Sequence, residues 1–212
     1  MPNLAQSFGL LVEGLTGAFY PEVAYVRQGK KVLFYQGKPE LTESLGDDTT
    51  IVESEDDLEM IERKVGEGEN AIIERAVKNG EWFVEGPFQR SDVRNANKRI
   101  YGRKIWERLI ADKNSQVMKS VTERGMIGHL EHPKDGRTDG KEGALLTTSL
   151  KLREDGVVWG AAEILDTPNG RILQEYTRKK IRWGVSSRGR GSVRDDGHVS
   201  EDDYMLDTFN GV

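Results

Sequence analysis

Two β-prone runs, residues 145–152 and 157–165, face each other across Arg153-Glu154-Asp155-Gly156. An Asp-Gly step between such runs is a strong hairpin signal, because glycine takes the positive φ that a tight turn needs. This hairpin commits the chain to an antiparallel sheet. Val23-Ala24-Tyr25-Val26 and Lys31-Val32-Leu33-Phe34-Tyr35 can pair in the same way across Arg27-Gln28-Gly29-Lys30. Glu81-Trp82-Phe83-Val84-Glu85-Gly86 reads as a strand, Trp183-Gly184-Val185-Ser186 enters another, Asp195-Asp196-Gly197-His198 is a turn, and residues 204–209 form a last strand. Residues 103–124 carry Ile105, Trp106, Leu109, Ile110, Val117 and Val121 at the spacing of one or two amphipathic helices. Pro168 suits a first helical turn, and the following residues place Ile172, Leu173 and Tyr176 on one face. Residues 47–57 are acidic and read as a linker or exposed face. Residues 58–77 have helix-forming composition broken by Gly66 and Gly68. Hairpins and helices without a βαβ repeat predict an α+β fold.

Composition narrows the function. The chain has 212 residues, enough for one compact domain with an appendage. Its 31 basic and 36 acidic residues give a net charge of −5, which argues against a general nucleic-acid binder. Without cysteine there is no disulfide, thiol nucleophile or thiolate-bound zinc. No apolar run approaches the ~18 residues of a membrane span, and the N-terminus lacks the basic region of a signal peptide. The cytoplasm of the cell that makes it is the expected compartment.

The chemistry gathers late in the chain. Ile181-Arg182-Trp183-Gly184-Val185-Ser186-Ser187-Arg188-Gly189-Arg190-Gly191-Ser192-Val193 sets two serines beside an arginine held between glycines. A serine hydroxyl is a poor nucleophile until a base takes its proton. The candidate bases are His129, His132 and His198, two of them close together in Gly128-His129-Leu130-Glu131-His132-Pro133. On residue type alone a Gly-Ser-Arg run is a solvated loop, a His before Pro is a turn residue, and His129 with His132 is too small a set for a zinc site. A serine element with a histidine element before it nevertheless points to acyl transfer. In a strand Ser186 and Ser187 face opposite sides, so one of them can face a histidine.

Gly-Val-Ser-Ser-Arg-Gly-x-Gly-Ser-Val resembles the serine motif of the tailed-phage prohead proteases, procapsid maturation enzymes whose fold resembles herpesvirus assemblin. Residues 125–133 resemble the family's Gly-Glu-Leu-x-His-Pro segment. Asn95-Ala96-Asn97-Lys98-Arg99-Ile100-Tyr101 resembles its Asn-x-Asn-x-Arg-x-Tyr segment. Three motifs in order cover about residues 82–212 and leave residues 1–80 outside.

The resemblance implies an assemblin-like β-barrel or sheet core with flanking helices, built from residues 81–212, behind an N-terminal extension of residues 1–80 that could be a pro-segment. Relatives are expected to continue past Val212, so the chain reads as truncated or processed. Ser186 is implied as nucleophile and His132 as base. The third member is Asp207 ahead of Asn210 and His198, with Glu131 and Glu163 as further acids. Arg188 and Gly189 are the oxyanion and substrate-binding elements, and Ser187 is a neighbour that packs or hydrogen-bonds. No metal or organic cofactor is implied. Expected partners are scaffold and major capsid proteins, and the chain itself, inside a prohead assembled in the bacterial cytoplasm, where it could form an oligomer; no nucleic acid or membrane is expected. Four Leu/Ile-x-Glu tripeptides, ending at Glu13, Glu43, Glu53 and Glu74, fit a preference for Glu before the cut and self-cleavage. The alternative is an inactive structural or scaffold component of a capsid or tube.

Overall fold

The computed structural model describes residues 7–12, 17–38, 45, 48–65, 72–133 and 139–212. Its first strands are β1 (Ser7–Val12), β2 (Val23–Gln28), β3 (Lys31–Gln36), β4 (Thr50–Ile51), β5 (Met60–Val65) and β6 (Ile72–Val77). They are followed by β7 (Glu81–Arg90), β8 (Ile127–His129), β9 (Gly143–Leu152), β10 (Val157–Ile164), β11 (Val185–Val193) and β12 (Met205–Gly211). Helix α1 (Arg103–Trp106) runs on as a π-helical turn over Glu107–Ala111, and α2 (Gln116–Thr122) and α3 (Pro168–Arg178) complete the helices.

Seven strands form the main sheet in the order β4-β3-β2-β7-β10-β9-β8, and β1-β11-β12 form a second sheet. All ladders are antiparallel except β3 with β4. The fold is α+β, but among the described residues the ladders do not close into a barrel. The edge strand β8 meets β12 through a single parallel bridge, Leu130 with Gly211. Phe88 of β7 and Phe209 of β12, both buried, touch edge to face at 5.1 Å. This places between the sheets one aromatic pair, worth about 0.5–1.5 kcal/mol beyond the burial of its rings.

The helices follow their sequence signals. Ile105, Trp106, Leu109, Ile110, Val117 and Val121 are all buried. Trp106 packs with Tyr101 and Tyr204 at centroid distances of 6.0 and 6.2 Å. Thr167 caps α3, its Oγ1 accepting from Gly170 N–H at 3.1 Å, with Pro168 in the first turn. A Cβ at Gly170 would lie 2.0 Å from the Leu165 carbonyl oxygen, so α3 rides close over the main sheet.

One expectation needs correcting. The described residues of the 58–77 stretch are not helical. They form the β5–β6 hairpin, with Met60 opposite Val77 and Val65 opposite Ile72. Gly66 and Gly68 lie outside the described residues, and the two halves of the stretch are each too short to be stable helices in water. The acidic stretch is an exposed face, none of its described residues being buried, and Thr50 and Ile51 within it pair with Lys31 and Val32. Residue 80 lies between β6 and β7, and strands on both sides of it share the main sheet, with Val23–Arg27 paired to Glu81–Glu85.

Candidate active site

The site lies where β8 meets the β11–β12 pair. β11 is clamped at its start. Val185 exchanges backbone hydrogen bonds with Phe19 at 2.7 and 2.9 Å, and Gly184 does so with Val212 at 2.7 and 2.9 Å. Gly184 is glycine because a Cβ there would press on the Ala18 methyl at 2.8 Å. Along β11 the side chains alternate as strand geometry requires. Ser186 is fully buried and directly opposite Asn210 of β12. Ser187 turns to the other face, where its Oγ accepts from Gln89 Nε2 at 3.2 Å.

His132 reaches this face from the chain that leaves β8. Gly128 makes the approach possible: a Cβ there would stand 1.7 Å from the Phe209 carbonyl oxygen, so the two backbones touch. Thr208 Oγ1 donates to the Ile127 carbonyl at 3.0 Å, and Glu131 N–H donates to the Gly211 carbonyl at 2.6 Å. Glu131 has φ +61°, a left-handed conformation costly for a side chain with a Cβ. That turn delivers the next residue to the serine. His132 Nε2 lies 3.0 Å from Ser186 Oγ.

Asn210 holds the arrangement from below. Its Oδ1 accepts from the His129 backbone N–H at 3.0 Å, and its Nδ2 donates to the Glu131 carbonyl at 3.1 Å. The same Nδ2 is 2.8 Å from His132 Nδ1. Three contacts from one amide therefore fix both the turn and the ring.

The structure does not bring Asp207 to the imidazole. The pairing of β11 with β12 shifts between Arg188, opposite Thr208, and Gly189, opposite Leu206, which leaves Asp207 as an extra residue in a β-bulge. Its carboxylate meets Arg190 at 3.2 Å from both Nε and Nη2. The other candidates are also engaged elsewhere. His198 Nδ1 lies 3.0 Å from Asp196 in its own turn, and Glu163 pairs with Arg124 at 2.6 Å. Glu131 contributes its backbone.

One charge dominates the local field. Arg188 is buried, two residues along β11 from Ser186. Burial and the nearby Arg188 charge lower the His132 pKa to about 4, so the imidazole is neutral at pH 7. Gly189 has a packing reason: a Cβ there would lie 2.5 Å from the Met205 carbonyl oxygen and 2.6 Å from the Tyr204 hydroxyl. A cleft of about 340 Å³ opens beside the approach to β11, between Tyr20, Tyr35, Lys180, Arg182 and Trp183. The Arg182 guanidinium lies 3.6 Å over the Tyr20 ring. Among the described residues no three of His, Asp and Glu gather as metal ligands, and no helix is long and apolar enough to cross a membrane.

The sequence reading missed three contributors. They are Gln89 on Ser187, the backbone turn at Glu131, a residue read there only as a possible acid, and the Gly128 crossing. Gly128 could have been suspected as a glycine inside a short strand pattern, which signals close backbone approach. Gln89 and the Glu131 turn have no local signature.

The family model described as prohead core protein serine protease matches residues 41–208, and the chain belongs to that family. The match starts well before the motifs near residue 82 and takes in His132 and Ser186; Asn210 lies two residues past its end. The chain is 29% identical over 115 residues to the prohead core protein protease of Enterobacteria phage T4, an alignment covering 53% of this chain. It takes in 52% of that relative, so the chain spans about half the length of the curated relative it matches. The fold is similar to that of the bacteriophage T4 capsid assembly protease, with a TM-score of 0.56 and 23% identity over 73% of this chain and 97% of that one.

Proposed function

We propose that the chain is a serine endopeptidase that trims scaffold and capsid proteins inside the phage prohead, with Ser186 as nucleophile and His132 as general base. The observation that carries the reading is the 3.0 Å approach of His132 Nε2 to Ser186 Oγ in a member of this family. Nε2 takes the Oγ proton as Oγ bonds to the scissile carbonyl carbon. The imidazolium returns that proton to the departing amine, and water repeats the sequence on the acyl-enzyme. The Arg188 guanidinium opposes the charge that collects on the carbonyl oxygen. Strands flank Arg188 and Gly189 on both sides, so a side-chain donor suits this role better than their backbone N–H groups.

A preference for Glu before the cut fits cations near the cleft, and Lys180 and Arg182 both line it, Arg182 over the Tyr20 ring. Self-cleavage follows the same preference. Glu13 and Glu43 lie outside the described residues. Glu53 is exposed just past β4, whereas Glu74 is laddered to Arg63 in β6. Cleavage after Glu53 is therefore expected ahead of cleavage after Glu74. The full burial of Ser186 favours one second reading, a capsid component that carries the pair without turning over.

Incubation with a scaffold protein, followed by intact-mass spectrometry, separates the two. Ser186→Ala should cut rate by about 10⁶ and Ser187→Ala should leave measurable activity. Parent protein that cuts neither scaffold nor itself supports the structural component. Loss from Ser187→Ala alone moves the nucleophile.

A further inference from the structure

The orientation of the Asn210 amide is settled by its neighbours. A backbone N–H can only donate, so the atom facing His129 N at 3.0 Å is the oxygen. A carbonyl can only accept, so the atom facing the Glu131 oxygen at 3.1 Å is the nitrogen. The usual ambiguity of an asparagine flip does not arise here. An NH₂ group has two protons. One goes to Glu131, and the second points at His132 Nδ1, 2.8 Å away.

A nitrogen that receives a hydrogen bond carries no proton. A neutral imidazole with a bare Nδ1 has its proton on Nε2. Nε2 then donates to Ser186 Oγ across the 3.0 Å contact, and it has no lone pair with which to accept the serine proton. The roles are reversed from those a general base needs. A triad carboxylate does the opposite: it accepts from Nδ1–H and leaves Nε2 bare.

We infer that Asn210 is a positioning residue that stores His132 in its Nε2–H tautomer and so keeps the Ser186–His132 pair in a non-productive resting state. The inference rests on the protease reading for its kinetic consequence, though not for the tautomer itself. Turnover requires the ring proton to leave Nε2 and one to enter Nδ1, an exchange that leaves the ring's proton count unchanged. Nδ1–H then faces Asn210 Nδ2–H, donor against donor. The amide must therefore move away from the ring, which means loosening its hold on His129 and Glu131. The imidazolium formed as Ser186 attacks meets the same opposition. Activation is thus tied to a shift where β12 crosses the end of β8.

The test is histidine-selective ¹⁵N NMR on the full chain at pH 7.5, with His132 assigned by its disappearance in His132→Gln. The expected spectrum has a protonated Nε2 and a bare Nδ1. A protonated Nδ1 in the parent chain overturns the inference. Asn210→Asp should move the proton to Nδ1 and raise kcat/KM at least tenfold, because an amide in place of a triad carboxylate costs up to about 10⁴ in turnover. A moved proton with unchanged or lower kcat/KM overturns the claim that the tautomer limits turnover. If Asn210→Asp does not fold, with its new oxygen against the Glu131 carbonyl, the parent spectrum still decides. Failure of the protease reading would appear separately, as Ser186→Ala behaving like the parent in cleavage while the tautomer stands.

Discussion

Two polar pairs on β12 sit three residues apart and obey different rules. Asn210 is fully buried and holds His132, Glu131 and His129 with a neutral amide. Asp207 lies on the bulge and meets the half-exposed Arg190. Water screens the Asp207 pair, so its net worth is about 0–1 kcal/mol. The Asn210 contact with the His129 N–H is buried and the other two are part-buried, and a buried partner left unsatisfied there costs about 1–3 kcal/mol. The buried end of the strand thus carries an uncharged connector beside one buried cation, Arg188, while the carboxylate sits part-buried on the bulge and meets a half-exposed arginine. Burial, rather than formal charge, decides which pair matters to the structure.

The largest effect is expected where the comparison is broken at its buried end. Asn210→Ala leaves the buried His129 N–H and the part-buried Glu131 carbonyl without their partner and should destabilise by about 2–4 kcal/mol, about 1–3 from the N–H and about 1 from the carbonyl. At roughly 2–4 °C per kcal/mol for a chain of this size, the drop in Tm is readily measured by calorimetry. A drop of less than a degree would mean that water replaces the amide at no cost.

Arg188→Met tests the cation. Removing its guanidinium should lower turnover by about 10²–10³ if it faces the oxyanion. It also removes one of the two causes that lower the His132 pKa. The acid limb of kcat/KM, which reports the base in the free enzyme, should therefore lie near pH 4 in the parent and move upward in the variant. The stability profile follows the same sign. Below about pH 6.5 the unfolded chain binds a proton at this histidine that the folded chain takes up only near pH 4, so stability falls as pH drops through that window. A limb that stays in place in Arg188→Met would remove Arg188 as a cause.

The smallest effect belongs to the exposed pair. Asp207→Ala should change stability by less than about 1 kcal/mol and leave cleavage intact. Loss of activity in a folded Asp207→Ala protein would return that carboxylate to the mechanism.

Much of the fold was legible because its signals are local. The Asp-Gly turn announced β9 and β10, Thr167 with Pro168 announced α3, and the six apolar positions between 105 and 121 are all buried. Residues 58–77 misled because helix-forming composition competed with a strand pairing that only tertiary context rewards. The site divided in the same way. Alternation along a strand separates Ser186 from Ser187, and the structure places them on opposite faces. Choosing between Asp207 and Asn210 needed the register of β11 on β12 and the position of a bulge. Both are pairwise properties of strands that a single chain's residue order does not encode.

The bond from His129 N–H to Asn210 gives the molecule a built-in reporter. Amide protons exchange with solvent only when their hydrogen bonds open, and the rate measures the free energy of that opening. This one opens when the last strand lets go of the turn that carries His132. Its exchange rate, read beside those of β7 and β10 in the middle of the main sheet, would show how often the site comes apart while the rest of the molecule stays folded.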